Sequence, residues 1–169
     1  GAVDILTEAI SEDTKLRAWT YQEILQHSAI LSSLKDQAAD EKLVFQIYYD
    51  FSEKVSKMQG YRTLALNRGE KIGALKISFE HNLDKILRFF AIRFPQKNSY
   101  IEEAISQAVK KKILSAMERR IRTELTEDAE SGAISLFSEN LRNLLLVPPL
   151  KGKTVLGFDP AFRTGAKLA

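Results

Sequence analysis

The chain has 169 residues, of which 44% are hydrophobic and 28% charged, with no cysteine, two histidines and a net charge of +3. That fits one globular domain or slightly more, with a substantial core. Disulfides and thiolate metal sites are excluded, which suits a reducing cytoplasm. No apolar run approaches the roughly 20 residues that span a bilayer, so no membrane partner is expected.

The modest net charge hides an asymmetry. Residues 1–53 carry four Lys/Arg against ten Asp/Glu, whereas residues 54–122 carry sixteen against six. A basic middle of this strength attracts phosphate backbones with an affinity that falls as salt rises. The competing reading is that these cations coat solvated helix faces.

In chain order, Val3, Leu6 and Ile10 share one helical face. Ser11 or Asp13 caps a second helix, with Leu16, Trp19, Ile24 and Leu25 as its apolar stripe. Segment 28–39 is ambiguous. EKLVFQIYYD reads as a strand by alternation, but Asp40 as a cap and the 44/48 and 45/49 spacings favour a short helix. FSEKVSKM reads as another short helix, opened by Ser52 and ended by Gly60. A helix containing Tyr61, Leu64 and Ala65 closes near Gly69 or Gly73, and Leu75, Ile77 and Phe79 then alternate as a half-buried strand. Arg62, Arg68 and Lys71 surround that turn, as candidate contacts for nucleic acid or a partner domain, or as plain surface charge. Asn82 or His81 starts a helix that Pro95 stops.

From about 99 to 146 the sequence predicts one helix on the order of 70 Å long. Ile101, Ile105, Val109, Ile113, Met117, Ile121, Leu125 and Ala129 recur mostly in four-residue steps, and Ala133, Phe137, Leu141 and Leu144 continue the series. The absence of sustained 3–4 alternation argues for a spine packed against several elements over a coiled coil. Gly132 is a possible bend, and Pro148-Pro149 ends the rod. Lys110, Lys111, Lys112, Arg119 and Arg120 lie along it, as a phosphate-tracking edge or as its solvated side.

Little catalytic chemistry is visible. His27 and His81 have no ligand-like spacing and read as surface or capping residues, and no phosphate-binding loop or nucleophile elbow occurs. Asp159 ends an apolar strand, but two-metal phosphoryl transfer needs several carboxylates around its ions. No enzyme activity, cofactor, resident metal or small-molecule substrate is expected.

The stretch PPLKGKTVLGFDPAFRTGAKLA (148–169) resembles the start of the ribonuclease-H-like (YqgF-type) domain in the Tex family of bacterial transcription accessory proteins. That pattern reads PP, a basic-Gly turn, then VLG[ILV]DPG-x-RTG-x-K; Ala161 and Ala166 depart from the usual residues. Upstream, YYDFSEKVSKMQGYRTLALNRGEKIGALKISF and SENLRNLLLVPPL also resemble Tex segments. The resemblance implies a mostly α scaffold over 1–147, with a long central helix and at most one or two short strands. A linker and truncated first hairpin of a ribonuclease-H-like domain would follow over 148–169, within a longer protein whose nucleic-acid-binding modules lie downstream. It implies a non-catalytic segment of a factor that associates with nucleic acid and the transcription machinery. The alternative is part of a metal-dependent nuclease, with Asp159 at the family's first acidic position.

Overall fold

The computed structural model describes residues 1–94, 98–148, 151–160, 162 and 165–169. Packing divides the chain into two units, Gly1–Ile134 and Ser135–Ala169.

The first unit opens with α1 (Ala2–Glu12) and α2 (Thr14–His27). Asp13 caps α2, its carboxylate accepting from the amides of Lys15 and Leu16 at 2.8 and 3.0 Å. Ser11, the other candidate cap, is buried and donates to the Glu8 carbonyl instead.

The ambiguous segment becomes β1 (Ala29–Leu34), the middle strand of an antiparallel sheet ordered β2-β1-β3. Strand β2 (Asp50–Lys54) corrects the helix expected for FSEKVSKM: only Val55–Lys57 forms a helical turn. Its reason is non-local: Glu53 pairs with Ile30 and Phe51 with Ser32, so β1 satisfies the backbone groups that a short helix would have satisfied internally. Gly60 begins α3 (Gly60–Lys71) and does not end a helix. Strand β3 (Leu75–Glu80) takes the other edge, with Ile30 opposite Phe79. Three strands thus stand where one or two short ones were expected, within a fold that remains mostly helical.

In place of the helix expected around 40–50, two short 3-10 turns form, Gln37–Asp40 and Gln46–Tyr48, and Asp50 already belongs to β2. The cap itself is real: buried Asp40 accepts from Val44 N–H and Phe45 N–H at 2.8 Å and from the Tyr49 hydroxyl at 2.9 Å. This anchor holds Leu43 at φ 52°, in the left-handed region that leucine rarely adopts.

Helix α4 (Leu83–Arg93) is capped by Asn82, which accepts from Lys85 N–H at 3.1 Å. The long helix then runs as α5 (Ser99–Gln107), a π-helical turn (Ala108–Ile113) and α6 (Leu114–Leu145). A straight α-helix of 3.6 residues per turn would let a row of four-residue steps drift around its axis. The wider π turn, with its i→i+5 bonds, takes up that drift. Ile105, Val109, Ile113, Met117 and Ile121 therefore all face one core, with Leu16 and Ile24 of α2, Ile30 of β1, Leu66 of α3, and Ile86 and Phe90 of α4. Gly132 lies inside α6 without interrupting it.

After Ala129 every described residue is exposed. In the second unit, α6 ends at Leu145, and β4 (Phe158–Asp159) pairs antiparallel with β5 (Lys167–Leu168) as the expected hairpin. Gly157 and Ala169 exchange both backbone hydrogen bonds at its open end.

Candidate nucleic-acid interface

The eight cations singled out by sequence fall on two stretches of the first unit. Arg62, Arg68 and Lys71 lie on α3, whose Glu70 meets Arg122 of α6 at 2.5 and 3.1 Å. Arg122 also donates to Asn67 at 2.9 Å, and Asn67 donates to Thr126 at 2.8 Å. The last turn of α3, with exposed Arg68 and Lys71, is thereby held alongside the Arg122 turn of α6. Lys110, Lys111 and Lys112 occupy the π turn, and Arg119 and Arg120 follow on α6.

Folding spends part of this charge internally. Arg62 pairs with Glu53 and lies over the rings of Tyr61 and Phe51, 5.4 and 6.0 Å from their centroids. Lys112 pairs with Glu8 of α1. Arg120 donates to Glu124 at 2.8 Å and sits 4.4 Å from the Tyr21 ring centroid, while the Tyr21 hydroxyl donates to the same carboxylate. The Tyr21 hydrogen bond and then Arg120 hold the Glu124 carboxyl below its ordinary pKa; that hydrogen bond also raises the Tyr21 phenol. Lys85 reaches buried Glu23 at 2.7 Å. Acids of the N-terminal third thus neutralise cations of the basic middle. Arg68, Lys71, Lys110 and Lys111 are exposed and make no ion pair among the described residues, and Arg119 donates only to the Ser115 carbonyl, at 3.2 Å.

His81 differs from its sequence reading. Its side chain is 8% exposed, with Nδ1 2.9 Å from the Ser28 hydroxyl and Nε2 2.6 Å from Glu118. It ties the start of α4 to α6 and the end of α2. Ser28 is itself buried, so no substrate reaches the hydroxyl. Nothing local marks this link, because its partners stand 53 and 37 residues away.

Asp159 ends β4, in register with Lys167. Among the described residues no three His, Asp or Glu side chains come together as an ion would need. No described helix is long and apolar enough to cross a membrane.

The family model described as Tex central region-like matches residues 1–137. The chain belongs to the Tex family. Within it, the chain is 45% identical to YdcI of Bacillus subtilis over its whole length, which is 24% of that protein. It is 29% identical to transcriptional accessory protein Tex of Neisseria gonorrhoeae, again over the whole chain and 24% of the relative. S1 RNA-binding domain-containing protein 1 of Homo sapiens is 31% identical over 85% of this chain and 16% of its own length. The chain therefore spans about a quarter of the bacterial relatives it matches.

Proposed function

We propose that this Tex-family segment is a non-catalytic scaffold of a transcription accessory factor, its rod positioning modules that contact nucleic acid and the transcription machinery. One observation carries the reading. The rod is buried on one side through Ala129, whereas Leu136, Phe137, Leu141, Leu144 and Leu145 are all exposed, Phe137 at 67%. So large an apolar surface on one helix end signals an interaction site. A domain boundary at Val147–Pro148, with a ribonuclease-H-like unit beginning there, accords with the helix ending at Leu145 and a hairpin following. The unpaired cations Arg68, Lys71, Lys110, Lys111 and Arg119 are its proposed low-affinity contacts to phosphate.

The test replaces Phe137, Leu141 and Leu144 with Asp. In this chain the melting temperature should be unchanged. In the full-length Tex-family protein the same changes should open the assembly to limited proteolysis. A full-length protein as resistant as wild type would remove the scaffold role.

A further inference from the structure

Helices α2 and α4 run antiparallel and meet in steps of four residues. Lys85 reaches Glu23 at 2.7 Å, Phe89 stacks on Trp19, and Arg93 lines a small hollow with Lys15. Beside it a larger open hollow of about 560 Å³ is lined by Trp19, Phe89 and Ile92, the last 79% exposed. That volume falls within the roughly 300–1,000 Å³ typical of ligand clefts. The Trp19 and Phe89 rings are 3.6 Å apart between centroids and 7° from parallel. The Arg93 guanidinium stands 5.7 Å from the Phe89 centroid, which links the two hollows into one groove.

The edge of this groove is cationic. Lys15, Arg88 and Arg93 are exposed and make no ion pair among the described residues, while Lys85 is spent on Glu23. Asp13 is engaged as the cap of α2, which leaves Asp84 as the one free acid lining the groove. From Lys85 to Arg93 the helix rises about 12 Å at 1.5 Å per residue. At roughly 3.4 Å per phosphate along a strand, that length meets about three phosphates.

We propose that the α2–α4 groove binds single-stranded nucleic acid, its bases adding to the Trp19–Phe89 stack while Arg88, Arg93 and Lys15 take the backbone. The inference rests on the nucleic-acid reading above and gives it a site made of none of the eight cations singled out by sequence. Every base has a face that stacks on an aromatic ring, so binding is tolerant of sequence. Ring faces beside guanidinium groups suit bases and phosphates better than an acidic protein segment, to which the larger hollow offers a single aliphatic contact, Ile92.

Trp19 is the chain's single tryptophan, so its emission reports on this groove. Unlabelled 12-nucleotide oligo(dT) or oligo(U) should quench it saturably. Between 50 and 150 mM salt the log–log slope of affinity should be about −1.4 to −2.1, as two to three phosphate contacts to a single strand require. An abasic 12-mer of equal charge should bind at least about fivefold more weakly, because it has nothing to stack. Arg88→Gln with Arg93→Gln should weaken binding about tenfold at 50 mM salt, and Asp84→Asn should tighten it about twofold. Lys110→Gln with Lys111→Gln should leave the quenching affinity within about twofold, and unchanged melting temperatures show that each variant is folded. In parallel, anisotropy of labelled oligonucleotide reads binding anywhere on the chain. Quenching by both oligonucleotides marks the shared strand as ligand; quenching by one marks its sugar or base as a further determinant, and either supports the site. The proposal falls if the abasic strand quenches as well, if the arginine changes cost nothing, or if the lysine changes cost as much. It falls equally if Asp84→Asn weakens binding, or if poly-glutamate of equal charge displaces the oligonucleotide, which would make the groove a site for acidic protein. Anisotropy that rises without quenching sinks the groove alone, whereas no rise at all sinks the nucleic-acid reading of this segment with it.

Discussion

Gly69→Ala is expected to destabilise the protein although it replaces glycine by alanine inside a helix. Helix propensity alone would favour alanine by about 1 kcal/mol. A Cβ at Gly69, however, would lie 2.5 Å from Leu75 Cδ1, 2.8 Å from its Cγ and 3.1 Å from Phe45 Cδ1. Leu75 and Phe45 are 1% and 5% exposed, so neither can swing into solvent. Overpacking of this kind costs about 1–3 kcal/mol. Because the contact sits at the short end of that geometry, the clash outweighs propensity and leaves a net loss of about 1–2 kcal/mol. In a chain of this size that lowers the melting temperature by roughly 2–8 °C. Urea unfolding followed by circular dichroism reads the effect as a lower midpoint at unchanged slope. A variant as stable as wild type would show that α3 does not press against β3 as described.

The opposite sign is expected at Gly132, where a Cβ meets nothing within 4 Å. Gly132→Ala should raise stability by roughly 0.5–1 kcal/mol in the same assay, and a loss would mean α6 is not helical there. Acid should loosen the Asp40 loop. Burial opposes ionisation, but donation from Phe45, Tyr49 and Val44 outweighs it and lowers the carboxyl pKa. With the folded pKa depressed, the ionised carboxylate stabilises fully above the unfolded value near ~4, and that contribution is lost as pH falls below it. Asp40→Asn should therefore flatten the acid limb of a stability–pH curve, whereas an unchanged limb would clear Asp40 of the role. Asp159→Asn should leave Mg²⁺-dependent cleavage by the full-length protein unchanged, at the same low or absent level as wild type. Cleavage lost only in the variant would establish the nuclease alternative.

The rod was legible because burial of one helix face leaves a periodic trace, and Ile105, Val109, Ile113, Met117 and Ile121 carry it. The π turn was half-legible: strict four-residue steps drift on an α-helix, and a wider turn is one way to hold them on one core. Strand β2 was not legible, since Ser52 and Gly60 are local helix signals while its stabilising partner, β1, lies some twenty residues upstream. Asp40 was correctly a cap, but of a loop that strains Leu43. The cation list showed the same limit. Arg120 and Glu124 stand four residues apart and could be paired by eye, whereas the Glu53, Glu8 and Glu70 partners of Arg62, Lys112 and Arg122 depend on tertiary folding.

Electron–electron distance spectroscopy tests the central claim most directly, and a chain with no native cysteine suits it. Spin labels at Glu103→Cys and Glu130→Cys bracket the π turn on exposed positions of the first unit. A continuous helix at 1.5 Å per residue places them about 40 Å apart in one narrow population. A broad distribution, or a main peak below about 30 Å, would mean the rod is folded back or hinged and is no spine.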